Sequence, residues 1–114
     1  MSLSGEIDRA KILAWQDEMI ELLEEIHGPF GMLVDIRGLT KFHEDAVPHL
    51  AACQKACKRK GLERAATIVN GAHEVARREK VAQSSGVARW EHYFDGLDNP
   101  DWESDAMAWI LDGK

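Results

Sequence analysis

The sequence predicts an α/β domain, a small, mostly parallel sheet packed with about four helices. Three observations carry that expectation. The runs "FGMLVDI" at 30–36 and "AATIVN" at 65–70 are apolar almost without interruption, as in strands buried on both faces. Between and around them lie longer stretches whose apolar residues return at three- and four-residue steps, the period of a helix with one buried face. The two kinds alternate along the chain, which implies βαβ units with right-handed crossovers.

The elements follow in order. Ser4–Ile7 reads as the tail of a first strand, truncated at the N-terminus. Asp8 is suited to cap a helix over 8–27, in which Ile12, Trp15, Met19, Leu22, Leu23 and Ile26 face inward and Gly28-Pro29 stops the run. Phe30–Ile36 is the first complete strand, and "RGLTKF" reads as a loop turning at Gly38. A second helix runs from about Glu44 to Lys60, with Val47, Leu50, Ala51, Cys53 and Cys57 inward and Gly61 at its end. Pro48 lacks an amide proton and disfavours helical geometry at Val47, so this helix starts near Pro48 or starts irregularly. A strand at 65–70 and a helix from about Ala72 to Ser85, closed by Gly86 and carrying Val75, Ala76, Val81 and Ala82, come next. "RWEHYF" at 89–94 alternates like a strand at a sheet edge. In the last helix Asn99 is placed to cap and Pro100 to take the first position, with Trp102, Ala106, Trp109 and Ile110 inward.

The chain has 114 residues, enough for one domain with one core. Its net charge of −6 disfavours non-specific nucleic-acid binding, which needs Lys and Arg to neutralise phosphates. The basic run Lys55, Lys58, Arg59, Lys60 and Arg64 falls where a helix ends, and cations there complement the helix dipole. No apolar run approaches the roughly 18 residues that span a bilayer, and "MSLSGEIDRAK" does not have the layout of a signal peptide. The expectation is a cytoplasmic protein without stable membrane association. The two cysteines, Cys53 and Cys57, sit four apart on one helix face and read as free, buried, small hydrophobes; further zinc ligands at suitable spacing are not evident.

The ordered set of "SGEID", "LVDIRGLTKFHEDAVPHL", "GLERAATIVN" and "SSGVARWEHYFD" with "DAMAWIL" resembles the SpoIIAA-like family, which includes the STAS domains (sulphate transporter and anti-sigma factor antagonist). The resemblance spans about Ser4 to Leu111. It implies a SpoIIAA-like fold and a regulatory, protein-binding role. In bacterial anti-sigma factor antagonists the turn before the second helix carries a phosphorylatable serine in an Asp-Ser-Ser-Gly pattern. Here His43, Glu44, Asp45 and Ala46 stand in that place, so the fold is expected without the switch.

Three readings of the His43-Glu44-Asp45 cluster follow. Carboxylates near a helix N-terminus stabilise it by roughly 0.3–1 kcal/mol each and need no partner. They could instead mimic the phosphorylated turn toward a protein partner, or form a metal or acid/base site. His43 and His49 are six apart and face different sides of a helix, and neither "HEDAVPH" nor "HEVAR" meets the His-Glu-x-x-His pattern of zinc proteases. No Walker loop, dinucleotide glycine pattern or nucleophile elbow is evident.

The expected function is therefore non-enzymatic, without cofactor or metal. A partner-binding loop would combine His43, Glu44 and Asp45 with Asn70 and His73, at the carboxyl ends of strands where open parallel sheets place ligands. The partner would be another protein or a second copy, with Trp90, Tyr93 and Phe94 as a dimer surface. The alternative is a carrier of a small apolar ligand or lipid, since the SpoIIAA-like fold is shared with lipid-carrying domains. In that case some of the four tryptophans, which otherwise read as core, line a pocket.

Overall fold

Among residues 2–85 and 89–114, which the computed structural model describes, the chain forms five strands and four α-helices. They are β1 (Gly5–Ile7), α1 (Arg9–Glu24), β2 (Phe30–Asp35), β3 (Leu39–Phe42), α2 (Val47–Lys60), β4 (Leu62–Val69), α3 (Ala72–Ser85), β5 (Glu91–Asp95) and α4 (Trp102–Asp112). The expected closing Gly86 and the side chains of Val47, Ala51 and Val81 lie outside the described residues. No described helix is long and apolar enough to cross a membrane.

All strand pairs are parallel. One sheet has the order β2-β4-β5 and a second pairs β1 with β3. A bridge from Ser2 to Asp35, with Leu3 N–H donating to Asp35 O at 3.0 Å, ties the start of the chain to the end of β2. The central β4 is buried from Ala65 to Val69 because helices cover both of its faces, which is why its sequence is apolar without alternation.

The caps explain several boundaries. Asp8 accepts from Lys11 N–H and starts α1 as expected. Gly61 ends α2 at φ 112°, a left-handed conformation that glycine adopts without penalty. Lys58, Arg59 and Lys60 form the last turn of α2, as the basic run implied. Pro48 sits in the first turn of α2, and the residues before it, Glu44–Ala46, form a short 3-10 turn instead of α-helix.

The one expected sheet is two, and three expectations about single elements need correction. "LTKF" is a strand and not a loop: β3 is held by pairing with β1, more than thirty residues away in sequence, a contact that local pattern does not show. Asn99 does not cap α4; its Oδ1 accepts from Asp101 N–H in a turn before the helix, which begins at Trp102, leaving Pro100 outside. Leu22 is 50% exposed, because α1 turns only Ile12, Trp15, Met19 and Leu23 fully inward.

The β2-β4-β5 sheet separates two apolar layers. On one face Ala66 and Ile68 pack with Ala106 and Trp109 of α4, joined by Leu33, Phe94, Trp102 and Ile110. The Trp109 indole N–H donates to Ala65 O at 2.9 Å, and its ring stacks on His92 at 3.5 Å between centroids. Gly31 lets α4 lie this close: any Cβ there would run into the Ile110 side chain. On the opposite face lie α1 and α2, which pack on each other; α2 also meets β4, while α3 packs on β5. Comparable packing does not join α2 to α3 among the described residues, and the sheet face between them is open.

Candidate functional site: an apolar cleft with a buried carboxyl group

That opening leads into a cleft of about 460 Å³, within the usual 300–1,000 Å³ range of small-molecule sites. Its floor follows from strand alternation. Met32 and Val34 of β2, Ala65 and Thr67 of β4, and Glu91 and Tyr93 of β5 point into it, while the residues between them face α4. Its roof is helical: Trp15 and Met19 from α1, and Leu50, Cys53, Gln54 and Cys57 from α2. Arg78 of α3 forms one side, and Trp90 closes an end, its ring beneath the Lys58 ammonium at 5.1 Å. The lining is predominantly apolar, with one small group of polar residues.

That group centres on Glu91. The Thr67 hydroxyl donates to Glu91 Oε1 at 3.0 Å, across neighbouring strands. Burial pushes the Glu91 carboxyl above the usual glutamate range, opposed by the Thr67 hydroxyl, the Tyr93 phenol and the charge of Arg78. Tyr93 is likewise pushed well up, by burial and then by Glu91 beside it. Three buried polar atoms have no hydrogen-bond partner among the described residues: Trp15 Nε1, Arg78 Nε and Glu91 Oε2. All three belong to residues of this cleft. Arg78 Nε does lie 3.7 Å from Glu74 Oε2, an ion pair too long to be a hydrogen bond. Buried polar groups are normally satisfied, so these three are exceptions; of them Arg78 and Glu91 are neighbours, the charge of one acting on the other.

The cysteines are free and buried, as expected. Cys57 Sγ–H donates to Met19 Sδ at 3.2 Å. Burial, with Cys57 nearby, pushes the Cys53 thiol up to about 11, and burial raises Cys57 too. Both remain thiols at neutral pH, which makes them wall residues and poor nucleophiles.

The expected partner loop is only partly brought together. His43, Glu44 and Asp45 line a shallow depression with Lys41 and Phe42. Asn70 lies on the other side of those two residues, in a polar recess with Glu74 and Arg77, and donates its side-chain amide to Arg37 O at 2.6 Å. His73 is exposed on α3 and lines neither depression. The residues expected to form a dimer surface do not share a face. Trp90 and Tyr93 turn toward the cleft, whereas Phe94 packs on the α4 side, because neighbouring residues of a strand point to opposite faces.

Thr67, Arg78 and Glu91 were not singled out from sequence. Two signals point to Thr67 and Glu91, a hydroxyl in the middle of the apolar run "AATIV" and a carboxylate two residues before Tyr93 in "RWEHYF"; the pattern holds none for Arg78.

No family model, no curated protein and no solved structure matches the chain.

Proposed function

We propose that this protein is a non-enzymatic binding module of SpoIIAA-like, STAS-like architecture whose cleft holds a small, largely apolar molecule. The cleft carries this reading: it is concave, apolar and of ligand size, and Thr67, Tyr93 and Arg78 gather about Glu91, whose Oε2 has no partner among the described residues. The order of elements and the parallel pairing of all strands support the SpoIIAA-like assignment. The turn before α2 holds His43, Glu44 and Asp45 in place of a phosphorylatable serine, so ligand occupancy, not phosphorylation, is the natural signal.

A protein partner is a compatible second element. Glu44 and Asp45 are exposed on the 3-10 turn directly before α2, one wall of the cleft, so a partner there could sense whether the cleft is filled.

A native mass spectrum recorded gently and then with rising collision energy tests the ligand reading. The expected result is a small-molecule adduct that leaves on activation, or uptake of the added uncharged dye N-phenylnaphthylamine by the bare protein. Bare protein that takes up no dye would exclude the reading. Reversing Glu44 and Asp45 to lysine is expected to leave dye uptake and stability unchanged while abolishing capture of any partner; an unchanged captured set would exclude the partner element.

A further inference from the structure

We propose that the cleft selects an amphipathic molecule whose polar end is a single uncharged hydroxyl, an alcohol or a phenol, seated against Glu91. This inference rests on the ligand-binding reading above and adds the chemistry of the head group.

Charge balance comes first. Among the described residues, Arg78 and Glu91 are the cleft's only charged side chains, one of each sign. The groups around Glu91 are Thr67 on β4, Tyr93 on β5 and Arg78 on α3, while the facing helices α1 and α2 present Trp15, Met19, Leu50, Cys53, Gln54 and Cys57. No second cation faces the site to hold an anionic head. Arg78 is already shared with Glu74, which also pairs with Arg77 at 3.0 Å. A cationic head seated against Glu91 would also meet the like charge of Arg78 beside it. An ionised head of either sign thus meets one like charge for each unlike one, which leaves its lost hydration without offset.

Hydrogen-bond direction then narrows the choice. Beside Glu91, Arg78 Nε has no hydrogen-bond partner among the described residues and can only donate. Glu91 Oε2 is open and accepts when ionised; burial favours the protonated form, which also donates. A hydroxyl donates one bond and accepts others, so it can answer either kind of group without carrying charge. The apolar remainder would lie along Met19, Met32 and Leu50.

The test uses one chain length with three heads. Decanol, decanoate and decylammonium compete with N-phenylnaphthylamine bound to the wild-type protein. The expected result is displacement by decanol at a concentration about tenfold lower than by either ion, a difference of about 1.4 kcal/mol. Glu91→Leu is expected to weaken decanol about tenfold while the dye still binds, and Glu91→Gln, which keeps a donor and an acceptor, to stay within about threefold of wild type. Equal or tighter displacement by decanoate or decylammonium would overturn the inference and leave the cleft reading intact. An unchanged decanol affinity in Glu91→Leu would do the same. Failure of the dye itself to bind would overturn both. Should Glu91→Leu not fold, the three heads on wild type and the Glu91→Gln variant decide.

Discussion

The Thr67 hydroxyl donates to Glu91 Oε1 at 3.0 Å from the strand next door. Thr67 sits in the centre of the sheet, 7% exposed, and is the one buried polar residue of the described core. A hydroxyl there is costly unless partnered, and a carboxyl beside it is costly unless bonded, so the two side chains justify each other. Thr67→Val keeps the shape and removes the bond. Because that bond holds the Glu91 value down, its loss is expected to move the Glu91 titration upward, read by side-chain carboxyl NMR. Stability should fall by about 1 kcal/mol. An unmoved titration would mean that the pair is not formed in solution.

Glu91 also sets a pH dependence. Its folded-state value lies above its unfolded value, so the folded protein holds this proton more tightly. The contribution is intact below the unfolded value and is lost as pH rises through the folded one. Asp35 slopes the opposite way: the bond from Arg37 holds it low, and its contribution is lost as pH falls. Comparing wild type with Glu91→Gln isolates the first effect. Urea denaturation from about pH 4 to about pH 8 should show the variant gaining on wild type as pH rises. A variant that loses ground instead would mean that Glu91 is held ionised.

The cleft can be filled from its floor. Ala65 points into it from the central strand. Ala65→Met is expected to weaken dye binding by at least about tenfold while changing stability by less than about 1.5 kcal/mol, because the flexible side chain enters existing space. Loss of stability with dye binding intact would show that the space does not exist in solution.

On the other face, Trp109→Phe removes the side-chain donor to Ala65 O, a carbonyl that the parallel ladder with β5 also engages. The expected cost is about 0.5–1.5 kcal/mol for the lost bond, and dye binding in the folded variant should be unaffected, since Trp109 lies across the sheet from the cleft. Chemical denaturation and dye titration together check both parts.

Much of this architecture could be read from residue order, for identifiable reasons. Helix α3 spans Ala72 to Ser85 as its apolar period implies, and α1 is announced by Asp8, because a cap and the apolar period both act within a few residues. Strand β3 was missed because its partner, β1, lies far away in the chain. The cleft was visible only as a question about tryptophans. Its polar centre joins Thr67, Arg78 and Glu91 from three elements, and a sequence shows such convergence only after the sheet order is known. The acidic turn stands out in the sequence because its residues are adjacent, yet Asn70 and His73 do not join it in one recess.

The methionines offer the most direct test of the central claim. Met19 and Met32 line the cleft from roof and floor, while Met107 is 39% exposed on α4, on the opposite side of the sheet. With methyl-labelled methionine, a titration with decanol is expected to shift the Met19 and Met32 signals together, saturably, and to leave Met107 in place. Shifts confined to Met107, or none at any methionine at saturating decanol, would contradict a ligand-binding cleft between the helices and the sheet.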